Sequence, residues 1–475
     1  MRNLSFFLLS FLFLVSKAQS GWDLQACIDY ALKHNISLTQ SALNNEINKN
    51  NSNQSKASVL PSVNAGASHV YNFGQTIDRF TNTFANTQVL SQQFYLTGSV
   101  VLWSGLSQYN NIKANEYTYL SGVERLKQQQ NDLSLSVANA YIGVIFSDEL
   151  LKIAQNQYSV SLEQLDRTSK LVAAGASAKS NEYDIKAQLA NDLVNVTTAE
   201  NNYQISMLTL KQLMNLDSVT NFSIARPEIS INETQLLEDN AQYVYEASLK
   251  TQPIIKSGEY AIMSAERILK SNRGRISPTL SFNATMGTGT SGLAKDIIGV
   301  NYTGQTQLIG YAASSSSDIP IPVYAPVTEV QTRNKPLSDQ FKDNVNKSLG
   351  FTLNVPLFNG LQTHTAIKNA KIAALNAKLS QDLNKQNLYK NIVQAQTNAK
   401  AALNKYNASK LSVEAASQSF TFAQQKFNAG VISAFDFSTA KNRLFAAESN
   451  LLQAKYDYVF KLKVLDYYQG KPLGL

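Results

Sequence analysis

A single cysteine, Cys27, stands in 475 residues, so no intramolecular disulfide can form. The three histidines, His34, His69 and His364, show no metal-ligand spacing with one another or with that cysteine. No nucleophile elbow is present either, so neither an enzyme nor a cofactor-binding protein is expected. Past residue 20 no apolar run approaches the roughly 18 residues that a membrane-spanning helix requires, which excludes an inner-membrane helix. The formal net charge of +8 is spread along the chain. A scattered basic excess leaves no nucleic-acid footprint, so no nucleic-acid partner is expected.

What the sequence does contain begins with a secretory signature. Arg2 gives residues 1–20 a positive start, Phe6 to Val15 an apolar core, and Ser16-Lys17-Ala18 or Ala18-Gln19-Ser20 a small-residue cleavage site. That core is too short to span a bilayer as a helix, so the segment reads as a removable export signal. Its removal takes away Arg2 and Lys17 and lowers the net charge from +8 to +6. Leu24-Gln25-Ala26-Cys27 faintly resembles a lipoprotein box but lies past Asp23. Cys27 reads instead as a thiol packed inside a helix.

The stretch Leu349 to Leu361 organises the rest. Leu349, Phe351, Leu353, Val355 and Leu357 alternate with Ser348, Gly350, Thr352, Asn354 and Pro356, giving a strand with one wholly apolar face. Gly360 ends that pattern, and a proline-free helical rhythm follows for about seventy residues. The same design occurs 255 positions earlier (360 − 105): Phe94, Leu96, Gly98, Val100 and Leu102 alternate, then Trp103-Ser104-Gly105 opens another long helix. The chain is a tandem duplication of a strand-to-helix unit.

Trp22 to about Lys56 reads as one helix of roughly 35 residues, with Asp23 as N-cap and Leu32, Asn35, Ile36, Leu43 and Ile47 as its apolar stripe. Near Pro61 the period becomes two, with Val63, Ala65, Ala67, His69, Tyr71 and Phe73 on one face. A polar loop over 74–93 leads into the return strand, making a hairpin. From Ser107 to Ala174 apolar residues recur every seven positions: Val137, Val144, Leu151, Tyr158, Leu165 and Val172. Their counterparts 255 residues on are Ile392, Ala399, Tyr406, Val413, Phe420 and Phe427. A strict seven-residue period predicts left-handed supercoiling against partner helices.

Ala174-Gly175-Ala176-Ser177 and Ala429-Gly430-Val431-Ile432 then reverse the chain, each glycine ending a heptad run. The return helices keep their own seam of Leu189, Val196, Tyr203 and Leu210, matched by Leu444, Leu451, Tyr458 and Leu465. Residues 217–240, with Pro227, read as an irregular link between a first repeat at 21–216 and a second at 241–475. The first helix and hairpin recur at a shorter offset of 217, relating Leu32 to Leu249 and Pro61 to Pro278, with Leu280, Phe282, Ala284 and Met286 as the outward face. The 38-residue difference (255 − 217) falls over about 288–340, a stretch with four consecutive serines and Pro320, Pro322 and Pro326 that reads as an exposed loop.

A helix of about seventy residues is roughly 100 Å long, and the two shorter helices of each repeat, laid end to end, would cover it. Strands of about ten to thirteen residues can cross a bilayer when tilted. Four strands cannot close a barrel, and open edges are forbidden in hydrocarbon, so several chains must pool their strands. The expected class is a mixed α+β membrane protein, with strands pooled among several chains into a β-barrel and long helices packed as coiled coils. A periplasmic coiled-coil scaffold or adaptor outside the membrane would share the heptads and the signal, but would not need strands with apolar faces.

In these features the chain resembles the TolC outer-membrane efflux protein family over essentially its whole mature length. Trp22-Asp23-Leu24 with Ala31-Leu32-Lys33-His34-Asn35 is similar to the family's opening helix. Val355-Pro356-Leu357-Phe358-Asn359-Gly360 is similar to its strand-to-helix junction, and Phe427-Asn428-Ala429-Gly430-Val431 with Asp436 to its periplasmic turn. The resemblance implies a homotrimer, with a twelve-stranded barrel in outer-membrane lipid that continues into a periplasmic helical tunnel, a long α-helical coiled-coil barrel. It implies an exit duct for a tripartite efflux pump or type I secretion system, served by a periplasmic adaptor and an inner-membrane transporter. Acidic residues near both turns constrict the tip in that family, some held by an arginine. Here Asp436 follows Gly430, but Asn181 occupies the matching place after Gly175 and Ile432 stands near the arginine's place. Asp436, Asn181 and Asp184 are the expected gate positions. Gly175, Ala176, Ser177, Gly430, Val431 and Ile432 are the expected adaptor-docking turns, exposing small or apolar side chains.

Overall fold

The computed structural model describes residues 21–86, 88–217, 222–225, 240–313 and 320–471. The expected signal at 1–20, most of the link 217–240 including Pro227, the serines at 314–317 and the end at Leu475 lie outside the described residues. The chain divides into two units, one holding residues 53–113 and 267–370 and the other the remainder.

The first unit is built on one antiparallel sheet. Its strands β1 (Ser62–Asn72), β4 (Val89–Trp103), β5 (Thr279–Ser291) and β8 (Asn346–Asn354) lie in the order β1-β4-β5-β8. Ala65 stands opposite Leu96, Leu96 opposite Met286, and Phe282 opposite Phe351. Shifting Ala65 by 217 and Leu96 by 255 gives Phe282 and Phe351, so the second hairpin copies the register of the first. A bulge between Val101 and Trp103 sets Trp103 opposite Leu280 and ends the expected alternation before Leu102.

Two segments expected to be loops contain strands. Within 74–93, β2 (Thr76–Asp78) and β3 (Thr83–Ala85) form a small hairpin. Within 288–340, β6 (Lys295–Ala312) and β7 (Ile321–Asn334) form a long antiparallel pair, followed by α7 (Leu337–Asp343). The prolines that suggested an irregular loop are tolerated because each strand of a two-stranded ribbon is an edge strand. Pro322 and Pro326 stand opposite Tyr311 and Thr306, next to register shifts.

The other unit is helical. It holds most of two helices of 67 residues each, α3 (Ser107–Ala173) and α8 (Gln362–Asn428). Their return partners are α4 (Lys179–Met214) and α9 (Ala434–Tyr468). Every seam position read from the heptads is buried or half-buried, with Val137, Val144 and Ile392 fully so.

The opening helix is not continuous. It divides into α1 (Leu24–His34) and α2 (Ile36–Ala57) at Asn35, whose ψ is 119°. Asn35 is therefore a cap and not part of an apolar stripe: its Oδ1 accepts from Leu38 N at 3.1 Å and its Nδ2 donates to Leu213 O at 3.2 Å. The second repeat breaks 217 positions later at Gln252, between α5 (Ala241–Thr251) and α6 (Pro253–Gly274). Proline at the first helical position is pre-set for that start. Gln252 Nε2 donates to Tyr467 O at 3.3 Å, so both breaks tie to the end of a return helix.

The largest helical core gathers Leu24, Cys27 and Ala31 with Val137, Tyr141, Val144, Met207 and Leu210. Burial and the neighbouring Asp23 push the Cys27 thiol up to about 12, so it stays protonated and inert. Tyr141 is fully buried, and its hydroxyl donates to Ala225 O at 2.6 Å and Trp22 O at 3.1 Å. Those carbonyls flank the parallel bridge between Trp22 and Ile224 that pins the start of the described chain.

Candidate functional site

The register turns the sequence alternation into two surfaces. On one face Val63, Gly98, Ala284 and Leu349 form a continuous row, with Val100, Phe282 and Phe351 beside them. Leu349, Phe351 and Leu353 are 76%, 70% and 64% exposed, which only an apolar surrounding makes favourable at such density. Exposed Tyr71 and Phe73 mark one end of this band and Trp103 the other, the placement of interface anchors. The opposite face is polar. Ser62 and Ser99 share a hydrogen bond of 3.0 Å, Thr285 and Ser348 one of 2.6 Å, and Asn283 Nδ2 donates to Thr352 Oγ1 at 3.0 Å. Among the described residues, the outer ladders of β1 and β8 have no partner strand in the sheet.

The β2–β3 hairpin is tied down against that polar face. The buried Asp78 carboxylate accepts from Phe80 N at 3.0 Å, from Thr81 Oγ1 at 2.9 Å and from the hydroxyl of Ser291 on β5. Phe80 lies so close over Gly289 that a Cβ there would stand 2.2 Å from the ring. The composition of 74–93 alone predicts a plain polar loop; the local signal of order in it is Asp78 three residues before Thr81, a turn-closing arrangement.

At the other expected sites, Gly175 and Gly430 hold φ of 73° and 72°, where a side chain would be strained. Gly175 N donates to Val172 O at 3.0 Å and Ala176 N to Leu171 O at 2.8 Å, and Gly430 and Val431 repeat this with Phe427 and Lys426. Both turns are Schellman closures. Ala176 and Val431 are exposed, but Ser177 and Ile432 are half-buried, and Ile432 packs on Ile185, Ala434 and Phe437. Asp436 completes a capping box: Ser433 Oγ accepts from Asp436 N at 3.2 Å, while Asp436 Oδ2 accepts from Ser433 N at 3.2 Å and Oγ at 2.7 Å. Its side chain remains exposed, as does that of Asp184. Asn181 is half-buried and donates to Ser177 Oγ at 3.2 Å; α4 has no side-chain cap at Ala178.

A polar tie beyond these turns was not expected. Lys441 on α9 donates to Asp192 Oδ2 on α4 at 2.5 Å, to Ser161 Oγ at 2.5 Å and to Gln157 O at 2.6 Å, the last two on α3. Gln188 Nε2 donates to the other Asp192 oxygen at 2.8 Å. The Lys441 and Asp192 side chains are 1% and 3% exposed, so the bridge joins the two repeats away from water. Burial pulls the Lys441 amine below its ordinary value, against the hydrogen bond and charge of Asp192.

The family model for outer membrane efflux proteins matches residues 27–216 and 244–470, one segment for each repeat. Outer membrane protein TolC of Escherichia coli (strain K12) is 22% identical over 451 residues, covering 94% of this chain and 81% of that protein. Among solved structures, the transmembrane channel protein CusC has a TM-score of 0.76 at 16% identity, over 94% of this chain and 92% of that one. The Campylobacter jejuni CmeC outer membrane channel has a TM-score of 0.75 at 15% identity, over 94% and 85%. These structures share its fold of long helices and strands. Matched through both repeats and over most of its length, the chain belongs to the outer membrane efflux protein family and is a TolC-like channel of the outer membrane.

Proposed function

We propose that three copies of the mature chain pool their sheets into one barrel that serves as the exit duct of a tripartite efflux pump or type I secretion system. On this reading residues 1–20 are removed on export, 21–216 and 241–475 are the two repeats, and 217–240 link them. The duct passively conducts small molecules or proteins delivered by an inner-membrane transporter through a periplasmic adaptor. The observation that carries the reading is a four-stranded sheet with one apolar face and two unpaired edges. Such edges are untenable in lipid, and three four-stranded sheets supply the strands of a closed twelve-stranded barrel with a polar lumen.

The lumen narrows where the helices end, near Gly175 and Gly430. Asp436 there recurs three times around the axis, with Asp184 as a second ring and Asn181 as the neutral counterpart. Three carboxylates facing a narrow lumen favour cations. Capping engages Oδ2 and leaves the charge exposed, so the two roles are compatible. The turns Gly175-Ala176-Ser177 and Gly430-Val431-Ile432 form the duplicated docking surface for the adaptor. Cysteines at Ala176 and Val431 should crosslink to a co-expressed adaptor, whereas crosslinks confined to 74–93 or 288–340 would place docking elsewhere.

Membrane extraction and a planar bilayer test the reading. The protein should resist a salt wash, require detergent, and form conducting channels; release by salt would make it a periplasmic scaffold. Asp436→Asn keeps capping ability and removes the charge, so cation preference and block by multivalent cations should weaken. Unchanged selectivity and block would reduce Asp436 to a cap.

A further inference from the structure

We infer the residue contacts by which one copy of this chain meets the next, resting on the reading that the channel closes as a trimer. The offsets 217 and 255 carry nine of the eleven β1–β4 pairs, Ser62–Ser99 through Val70–Ser91, onto β5–β8. The join between the two repeats is β4–β5, where Leu96 faces Met286. If the second repeat of one copy meets the first repeat of the next through that same join, the ring closes with near-equivalent contacts throughout. The offsets then turn Leu96–Met286 into Phe351 opposite His69 of the neighbouring copy (96 + 255 and 286 − 217). Thr97–Thr285 likewise becomes Thr352 opposite Ser68. Apolar face stays with apolar face and polar with polar, and a one-residue slip would destroy that match.

The helices reach the same conclusion independently. Within the chain, α3 meets α6 through Tyr117 stacked on Tyr260, with ring centroids 6.3 Å apart, and through Ser121 and Ser257, whose hydroxyls are 3.1 Å apart. The same offsets send Tyr117–Tyr260 to Ile372–Leu43 (117 + 255 and 260 − 217). Those two side chains, on α8 and α2, are 58% and 63% exposed in the single chain. Each is half of an apolar contact that a second copy completes. The occupant of the open α8 face is therefore the α2 face of the next copy, and the partner of β8 is its β1.

Paired cysteines in the full-length protein, purified in detergent, test this. Phe351→Cys with His69→Cys, and Ile372→Cys with Leu43→Cys, should each shift on mild oxidation from one chain to two and three chains on a non-reducing gel. A disulfide needs Cβ atoms roughly 3.5–4.5 Å apart, so the register-shifted pair Phe351→Cys with Ala67→Cys should stay at one chain. The single-cysteine variants should also stay there, because native Cys27 is buried. All the substituted side chains are exposed in the single chain, and the two seams are probed separately. Light scattering on the same samples separates the failures. A three-chain particle linked only through the shifted pair, or through neither pair, overturns the contacts and leaves the trimer standing. A one-chain particle overturns the trimer and the inference with it.

Discussion

Replacing Lys441 by Met tests whether the buried tie holds the two repeats together. The substitution preserves length and apolar stem but leaves the Asp192 carboxylate buried, with Ser161 and Gln188 the remaining donors to it among the described residues. At 1% and 3% exposure water cannot take over the lost contacts. Breaking one side of such a pair costs about 3–5 kcal/mol, because the surviving charge is stranded. Lys441→Met should therefore lower the urea midpoint of helix loss by far-UV circular dichroism in detergent. Lys441→Met with Asp192→Leu removes both charges and should recover most of that loss, since replacing a buried pair by apolar groups is often neutral or stabilising by about 1–4 kcal/mol. Lys170 and Asp166, paired at 2.6 Å but 76% and 66% exposed, provide the control. Lys170→Met should change stability by less than about 1 kcal/mol. If Lys441→Met is as mild as Lys170→Met, or if the double variant loses the sum of its singles, the tie does not act as a buried charge pair.

Tyr141→Phe removes the donor to Ala225 O and one donor to Trp22 O; it should destabilise by about 1–3 kcal/mol in the same urea assay. Glu448 behaves differently, because burial holds its carboxyl above the ordinary 4.5 while a hydrogen bond from Gln157 opposes the shift. The folded chain keeps that proton to higher pH than the unfolded chain, so the stability this group supplies below its unfolded pKa is lost as pH rises through the folded one. Glu448→Gln should flatten that decline and raise the unfolding midpoint at neutral pH; a variant less stable there, with the parent's pH slope, would contradict this.

The repeat, the glycine turns and the heptad seams were legible because each is a local pattern that occurs twice. Gly105, Gly175, Gly360 and Gly430 all adopt positive φ, as paired chain breaks 255 apart should. The break at Asn35 was harder to read, since one asparagine in an apolar-periodic run is ambiguous. Its duplicate was clearer: Pro253 marks a fresh helix start, and stepping back 217 residues from Gln252 reaches Asn35. The β6–β7 ribbon escaped because Pro320, Pro322 and Pro326 dominate a pattern in which Val323 and Val327 still fit a strand. The Lys441–Asp192 tie spans 249 positions and crosses the repeats, so no local rule pairs its members. Its one trace is that Lys441 and Glu448 alternate with Leu444 and Leu451 along a seam, where a charge is out of place unless it is partnered.

The two open edges of the β1-β4-β5-β8 sheet make the most direct demand on the molecule. Protein mass per particle, by light scattering of detergent-solubilised channel with the detergent contribution subtracted, tests it. Three chains per particle is the expected result, and a folded, conducting particle with the mass of one chain would contradict the pooled barrel.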